Sequence, residues 1–250
     1  MLTAWPAEPA ADPAAAFATL GAAALGRVLD DDQLAAARAA FDELRPDGTT
    51  GPYATIVHDG WRRAPALAAL VPVIGAAAAR AVGVDELVLF HEHLLWKPPG
   101  GDDMAWHQDY SYLPLDRPDG CTLWIALDDV DADNGCLYYQ LGSHTRGEYR
   151  AAWGIWEDDD PRATLPPVPD TLDDGVAAPT RAGYAIAHDT LLLHRSPRNC
   201  AARPRRAWAL SLVTPATRWA PRHAPHPRSA VDPRADGQAL EPDLLRARAW

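Results

Sequence analysis

The sequence predicts a mainly β protein, in which antiparallel strands form a sandwich or barrel and α-helices pack on its outside. Two observations favour this class. Apolar residues recur at helical spacing up to Gly83, whereas short apolar or alternating runs separated by Gly, Pro, Asp and Asn follow it. The 250 residues are enough for one compact domain with a sizeable core. We therefore expect a single domain over 1–250.

The N-terminal part, residues 12–82, is expected to be largely helical. Segment 12–44 carries apolar residues at roughly helical spacing and predicts two helices, the second capped within 30–32. A further helix is predicted over Pro65–Val82, because Pro is favoured in a first helical turn and Gly83 suits a helix end. The initial MLTAWPAEPAADP lacks the basic start and apolar run of a secretory signal and is expected to be an irregular arm.

The β core is expected over about 86–214. Its candidate strands are 86–96, 105–109, 122–128, 136–140, 184–187, 191–194 and 207–214. The Asp- and Pro-rich segment 153–175 separates strands that should be neighbours, which favours a lid or binding loop over a linker. Residues 215–250, rich in Pro, Arg and Ala, are expected to form a partly ordered tail.

Charge and composition exclude several classes of partner. The formal net charge is −11, which disfavours nucleic acid and anionic membrane surfaces. The most apolar stretch, 66–79, contains Pro72 and is shorter than the ~20 residues that cross a bilayer. Three widely spaced cysteines form neither a disulfide framework nor a CxxC pattern, which fits a reducing cytoplasm. We expect a cytoplasmic protein with a small-molecule substrate, as a monomer or homodimer, with no nucleic-acid or membrane partner.

The segment AWHQDYSY carries a candidate metal-ligand pair. In a strand, residues i and i+2 share a face, so His107 and Asp109 would stand side by side, as two cis ligands require. A solvated histidine beside a surface aspartate is the alternative. His194, after the apolar run 191–193, is the candidate third ligand. Two His and one Asp form the facial triad of non-haem Fe(II) oxygenases.

Arginines follow the last candidate ligand. Arg203, Arg205 and Arg206 precede an apolar strand, and a guanidinium there could hold a carboxylate through two parallel charge-assisted hydrogen bonds. A solvated loop face is the alternative for the cluster.

These pieces occur together and in order. The segments are WHQDYSYLP, then WIALDDVDADNGCLYYQLGSHTRG, then HDTLLLHRSPRNCAARPRRAWAL. Over about 90–214, half of the chain, they resemble the phytanoyl-CoA dioxygenase (PhyH) family of Fe(II)/2-oxoglutarate-dependent oxygenases. The resemblance implies a double-stranded β-helix, a jelly-roll, cupin-like core flanked by the N-terminal helices.

The resemblance also implies roles for individual residues. The family's iron ligands fall on His107, Asp109 and His194, which would be the catalytic centre. Its 2-oxoglutarate-binding arginine falls on Arg205 rather than Arg206, and its lysine before a Pro pair, which often touches the co-substrate, falls on Lys97. Trp124 and Asn199 occupy pattern positions where a cofactor-binding and a structural role remain equally open.

The implied activity is oxidation of a small organic molecule, with 2-oxoglutarate and O2 converted to succinate and CO2. Relatives that halogenate replace the metal carboxylate with a small residue, so the retained Asp109 favours hydroxylation. CoA is polyanionic, and the net charge argues against it as substrate; natural-product biosynthesis is an expectation by analogy. A non-catalytic jelly-roll binding protein and a cupin-like metal isomerase or lyase are the alternatives.

A second histidine pair and several aromatic residues complete the candidates. His91 and His93 share a strand face, but without a third ligand we expect them to line the barrel interior. Aromatic residues near the expected mouth or lid could shape a substrate pocket or serve ordinary packing. These are Tyr110, Tyr112, Trp153 and Trp156.

Overall fold

Two antiparallel sheets form the core of the protein, in a computed structural model that describes residues 5–6, 8–45, 55–150, 164–220, 236–240 and 245–249. The helices are α1 (Pro13–Leu20), α2 (Asp31–Leu44) and α3 (Pro65–Val82). The strands are β1 (Ala22–Arg27), β2 (Thr55–His58), β3 (Glu86–Lys97), β4 (Met104–His107), β5 (Gly120–Ala126), β6 (Leu137–Tyr139), β7 (Val176–Ala178), β8 (Tyr184–His188), β9 (His194–Ser196), β10 (Arg205–Val213) and β11 (Arg246–Arg248).

The larger sheet has the order β1-β8-β5-β10-β3-β11, and β2 also pairs with β3; the smaller sheet has the order β4-β9-β6-β7. Strands that are distant in sequence are therefore neighbours in both sheets. The prediction of a mainly β, jelly-roll-type core with flanking helices is confirmed.

The helices begin and end where local chemistry favours it. Asp30 caps α2 in a reciprocal capping box, in which its side chain accepts from the backbone of Gln33 and the Gln33 side chain accepts from the backbone of Asp30. Pro65 and Gly83 bound α3 as predicted. By length and composition α3 could cross a membrane, but half of it is buried inside the fold, so it is a core helix here.

The two helices predicted over 12–44 are present as α1 and α2, but the strand β1 lies between them and was not predicted. Gly21, at φ +79°, ends α1 in the left-handed conformation that glycine adopts at low cost. The following run from Ala22 then pairs with β8 at the edge of the larger sheet. Pairing with a neighbouring strand, which the helical spacing of these residues does not reveal, decides their conformation.

Both candidate ligand strands are shorter than expected. The predicted strand 105–109 ends at His107, and Asp109 begins a turn in which its carbonyl accepts from the backbone N–H of Tyr112. The predicted strand 191–194 is a turn that becomes β9 only at His194. The two ligand segments therefore meet at strand ends, where the chain changes direction.

Described residues near each end of the chain pack on the core. Trp5 stacks on Tyr139 with ring centroids 5.4 Å apart, so the expected irregular arm is packed there. In the expected tail, β11 pairs with β3, and Ala247 is fully buried against α3 at Gly75. The outer edge of β3 is thus covered by β2 at one end and β11 at the other. Most of the predicted lid, 153–163, lies outside the described residues, and its lid role stays a prediction.

Candidate metal centre

His107 and His194 are brought together by the pairing of β4 with β9, in which they are direct partners. Their ring centroids are 4.1 Å apart. The Nδ1 atom of each ring lies within hydrogen-bond distance of a backbone oxygen two residues earlier, at 2.8 Å from Ala105 and 3.0 Å from Leu192. If each Nδ1 carries the proton for that bond, both Nε2 atoms present a lone pair.

Asp109 completes the cluster from the turn after β4. Its Oδ1 lies 3.8 Å from Nε2 of His107 and 3.6 Å from Nε2 of His194. The three candidate ligand atoms all lie within 4.8 Å of one another. Two imidazole nitrogens and one carboxylate oxygen therefore face a common point.

The other carboxylate oxygen of Asp109 is held by the larger sheet. Its Oδ2 accepts a 2.6 Å hydrogen bond from the hydroxyl of Thr122 and lies 3.1 Å from Nε2 of His188. Nδ1 of His188 is in turn 3.0 Å from the hydroxyl of Tyr139. Thr122 and His188 are direct partners in the β5–β8 pair, so one rung of the sheet orients the carboxylate. Such supporting contacts fix the direction in which a ligand points.

Electrostatics keep these groups in the protonation states that a metal requires. Burial, aided by His194, lowers the pKa of His107 to about 4, and burial also lowers the pKa of His194. Burial raises the pKa of Asp109, but the surrounding His194, His188 and His107 lower it well below its usual value. At neutral pH the cluster therefore offers two neutral imidazoles and a carboxylate.

A buried lysine and a buried arginine lie next to this cluster. Lys97 and Arg205 are direct partners in the β3–β10 pair, and both side chains are fully buried. The Lys97 ammonium donates to the backbone oxygens of Ser196 and Pro197 and to the Ser196 hydroxyl, at 2.6–2.9 Å. An Nη2 of Arg205 lies 3.4 Å from the same hydroxyl. Both side chains therefore contact β9 at Ser196, two residues beyond His194.

Arg206 faces the other side of the sheet. Its guanidinium donates to Asp128 and Asp42, with which it forms ion pairs of 2.9 and 3.0 Å. Adjacent residues of a strand point to opposite faces, so Arg205 is inside and Arg206 is outside.

Trp124 and Asn199 have different surroundings. The Arg205 guanidinium lies 5.5 Å from the centroid of the buried Trp124 ring, on the inner face of the sheet. Within the described part of the chain, the side chain of Asn199 bonds only backbone groups: it donates to the backbone oxygens of Lys97 and Arg203 and accepts from the backbone N–H of Ala201. Asn199 thus holds the loop before β10, which is the structural reading of this position.

Gln108, between the two ligands, carries a structural role that sequence reasoning missed. Its amide nitrogen donates to the backbone oxygens of Gly147 and Leu191, and its oxygen accepts from the backbone N–H of Tyr149. The side chain is almost fully buried, and it fastens three segments around the centre. The sequence did offer one indication of this role: Gln108 is a polar residue between two candidate ligands, and in a strand it would point to the opposite face.

The aromatic residues predicted near the mouth have different positions. Tyr112 lies edge-on to His107 with ring centroids 6.2 Å apart. Tyr110 is buried, and its hydroxyl donates to the backbone oxygen of Leu115, so it belongs to the core. Trp153 and Trp156 lie outside the described residues.

A model of the phytanoyl-CoA dioxygenase (PhyH) family matches residues 17–207. The chain belongs to this family. Among curated relatives, phytanoyl-CoA dioxygenase domain-containing protein 1 from Bos taurus is 33% identical over 153 residues, which is 58% of this chain and 52% of the relative. Phytanoyl-CoA dioxygenase from Arabidopsis thaliana is 34% identical over 140 residues, 55% of this chain and 48% of the relative. The chain thus spans about half the length of the curated relatives it matches.

The fold of this PhyH-family protein is also similar to solved structures. The α-ketoglutarate-dependent carbocyclase SnoK from nogalamycin biosynthesis superposes with a TM-score of 0.76 at 25% identity, over 95% of this chain and 96% of SnoK. SnoK is described as a non-haem enzyme. His107, Asp109 and His194 are the ligand types, in the number, that a non-haem Fe(II) site uses.

Proposed function

We propose that the protein is an Fe(II)/2-oxoglutarate-dependent dioxygenase that oxidises, by hydroxylation, a small organic molecule in natural-product biosynthesis. The observation that carries the proposal is the convergence of two imidazole Nε2 atoms and one carboxylate oxygen within 4.8 Å, next to a buried arginine. When bound, Fe(II) with 2-oxoglutarate and O2 supplies the oxidant for C–H oxidation, and 2-oxoglutarate leaves as succinate and CO2.

In this proposal His107, Asp109 and His194 hold the iron. Three protein ligands would leave coordination positions of the ion open to the keto acid and dioxygen. Asp109 is a one-oxygen ligand, because its Oδ2 already accepts hydrogen bonds from Thr122 and His188. The aspartate also occupies the position that a halide would need, which favours hydroxylation over halogenation.

Arg205 binds the far carboxylate of 2-oxoglutarate. His194 and Ser196 lie on one face of β9, about 7 Å apart along the strand, and Arg205 contacts Ser196. This separation suits a five-carbon dicarboxylate with one end at the iron and the other at the guanidinium. The neighbouring Lys97 is also buried, and charge-assisted hydrogen bonds from Arg205 in such a dry site are stronger than those in water.

One solved-structure neighbour supports the choice of iron and 2-oxoglutarate as the bound groups. SnoN, which superposes with a TM-score of 0.75 at 23% identity over 92% of this chain and 94% of its own, is described in complex with Fe3+, α-ketoglutarate and nogalamycin RO. SnoK and SnoN are named as a carbocyclase and an epimerase. Proteins of this fold thus have different outcomes, and the mass of the product and the position of the oxidised carbon distinguish hydroxylation from ring closure and epimerisation.

An anaerobic titration with Fe(II) and 2-oxoglutarate tests the proposal. A weak visible charge-transfer band should appear, and it should be absent in His107→Ala and Asp109→Ala. His144→Ala, which removes an imidazole outside the cluster, should keep the band. On admission of air the wild type should form succinate. Binding without succinate formation would favour the binding-protein alternative, and turnover of a substrate without oxygen would favour the isomerase or lyase.

A further inference from the structure

A second group of three histidines lies outside the candidate iron centre. β2 pairs with β3 so that His58 is the direct partner of His93, and His91 lies two residues before His93 on the same face of β3. The missing third member of the His91 and His93 pair is thus His58, from a four-residue strand that the sequence does not reveal.

The three rings present nitrogen atoms to one another. Nε2 of His91 lies 3.2 Å from Nδ1 of His58 and 2.8 Å from Nε2 of His93, and all three lie within 4.8 Å of one another. Ligand nitrogens of a tetrahedral ion with 2.0–2.1 Å bonds are about 3.3 Å apart. The three nitrogens are therefore already near the spacing that one ion would impose.

The positions of the ring protons favour an ion between the three histidines. Nδ1 of His91 lies 3.2 Å from Oδ1 of Asp59, so the ring proton is best placed there and Nε2 carries the lone pair. That one lone pair faces nitrogens from both His58 and His93. A cation would receive a lone pair from each of the three rings.

Asp59 orients the group in the way that supporting carboxylates orient metal-binding histidines. It is the only non-glycine residue with positive φ, +48°, in the part of the chain that the structure describes. Its backbone N–H donates to the backbone oxygen of Glu92 at 3.0 Å, which holds the turn against β3. Such uncommon backbone conformations concentrate at functional sites.

We propose that His58, His91 and His93 form a second metal site, which binds a divalent ion of the zinc class and fastens β2 to β3. Imidazole nitrogen suits Zn, Cu and Ni ions, and three protein ligands leave the fourth tetrahedral position to water. His91 is fully buried whereas His58 is exposed, so an ion can enter from solvent.

This site is separate from the candidate iron centre. The two clusters share no residue. In the larger sheet His91 pairs with Ser211, which pairs with Thr122, so the cluster lies two strands, about 10 Å, from the threonine that holds Asp109. The proposal does not depend on the oxygenase activity, and its test measures binding alone.

Titration of the full chain with Co(II), a coloured substitute for Zn(II), tests the proposal. The double variant His107→Ala/Asp109→Ala removes the iron centre and should still bind one Co(II) per chain, with tetrahedral d–d bands that Zn(II) abolishes. Adding His58→Ala should remove the bands and the rise in Tm on metal addition. Ile56→Ala, a change on the same strand, should keep both.

A cysteine variant keeps the test independent of folding. His58→Cys, in the same double variant, offers a different zinc-class ligand, so it should bind Co(II) and add a thiolate-to-cobalt charge-transfer band. The proposal is overturned if the double variant binds no Co(II), if binding survives His58→Ala, or if the folded His58→Cys protein lacks the charge-transfer band.

Discussion

His107 and His194 face each other across the β4–β9 pair, although they lie far apart in sequence. The pairing sets the distance between the two imidazoles, and the turn after β4 adds the Asp109 carboxylate. The cluster therefore depends on a register between two short strands, and changes that loosen this register should weaken iron binding without touching a ligand.

Removing the support of Asp109 should weaken metal binding. His188→Ala deletes a hydrogen-bond partner of Asp109 Oδ2, and loss of such a partner lowers metal affinity by about 10- to 100-fold. Tyr139→Phe acts one step further away and should have a smaller effect of the same sign. Fe(II) affinity measured by anaerobic titration checks both. Tyr138→Phe, on the opposite face of β6, is the matched control and should leave the affinity unchanged.

Substitution of the two adjacent arginines should have different effects on the KM for 2-oxoglutarate. Arg205→Ala should raise the KM for 2-oxoglutarate by about 10- to 100-fold, the equivalent of one or two charge-assisted hydrogen bonds. Arg206→Ala breaks the outer ion pairs with Asp128 and Asp42 and should leave that KM close to the wild-type value. Steady-state succinate formation at varied 2-oxoglutarate measures both, and equal effects would show that the interior arginine does not bind the co-substrate.

Lys97 is the single lysine of the chain, so its ionisation can be observed directly. Burial, followed by the neighbouring Arg205, lowers the pKa of Lys97 to about 7, against the opposing effects of Asp103 and Asp102. NMR of protein labelled with 13C-lysine should show one ε-carbon resonance that titrates near pH 7. A midpoint near the ordinary value of 10.5 would contradict the assignment.

The same shift predicts how stability depends on pH. The unfolded chain keeps the Lys97 proton up to its ordinary pKa, whereas the folded protein releases it near 7. The unfolded state therefore binds more protons between about pH 7 and 10, so the contribution of Lys97 to stability rises with pH there. Denaturant unfolding should show the wild type gaining stability relative to Lys97→Met across this window. The gain should be absent below pH 6.

Gln108 should matter for stability more than its position between two ligands indicates. Gln108→Leu leaves two backbone oxygens and one backbone N–H without their side-chain partner in a buried setting, at a cost of about 1–3 kcal/mol for each. We expect a loss of about 3 kcal/mol or more in the free energy of unfolding. Gln140→Leu, whose amide contacts Asp173 at an exposed site, is the control and should cost far less.

Residue chemistry carried much of the site prediction, and strand pairing decided the rest. Alternation along one strand predicts that Arg205 and Arg206 face opposite sides, as they do. The predicted end of β4 and the predicted start of β9 were wrong. The backbone forms turns at Asp109 and at 191–193, which an apolar run does not indicate. His58 was missed because β2 has only four residues, too few for an alternating pattern that would predict a strand or its pairing with β3.

The covered edge of β3 has a practical consequence for shortening this protein. Removing the chain from residue 245 onward would uncover backbone N–H and C=O groups around Leu87, together with the small apolar surface that Ala247 buries at Gly75. Bare strand edges of this kind add strands from other molecules. A C-terminally trimmed protein should therefore form soluble aggregates by intermolecular β-addition, and deletions made for crystallisation are better placed elsewhere.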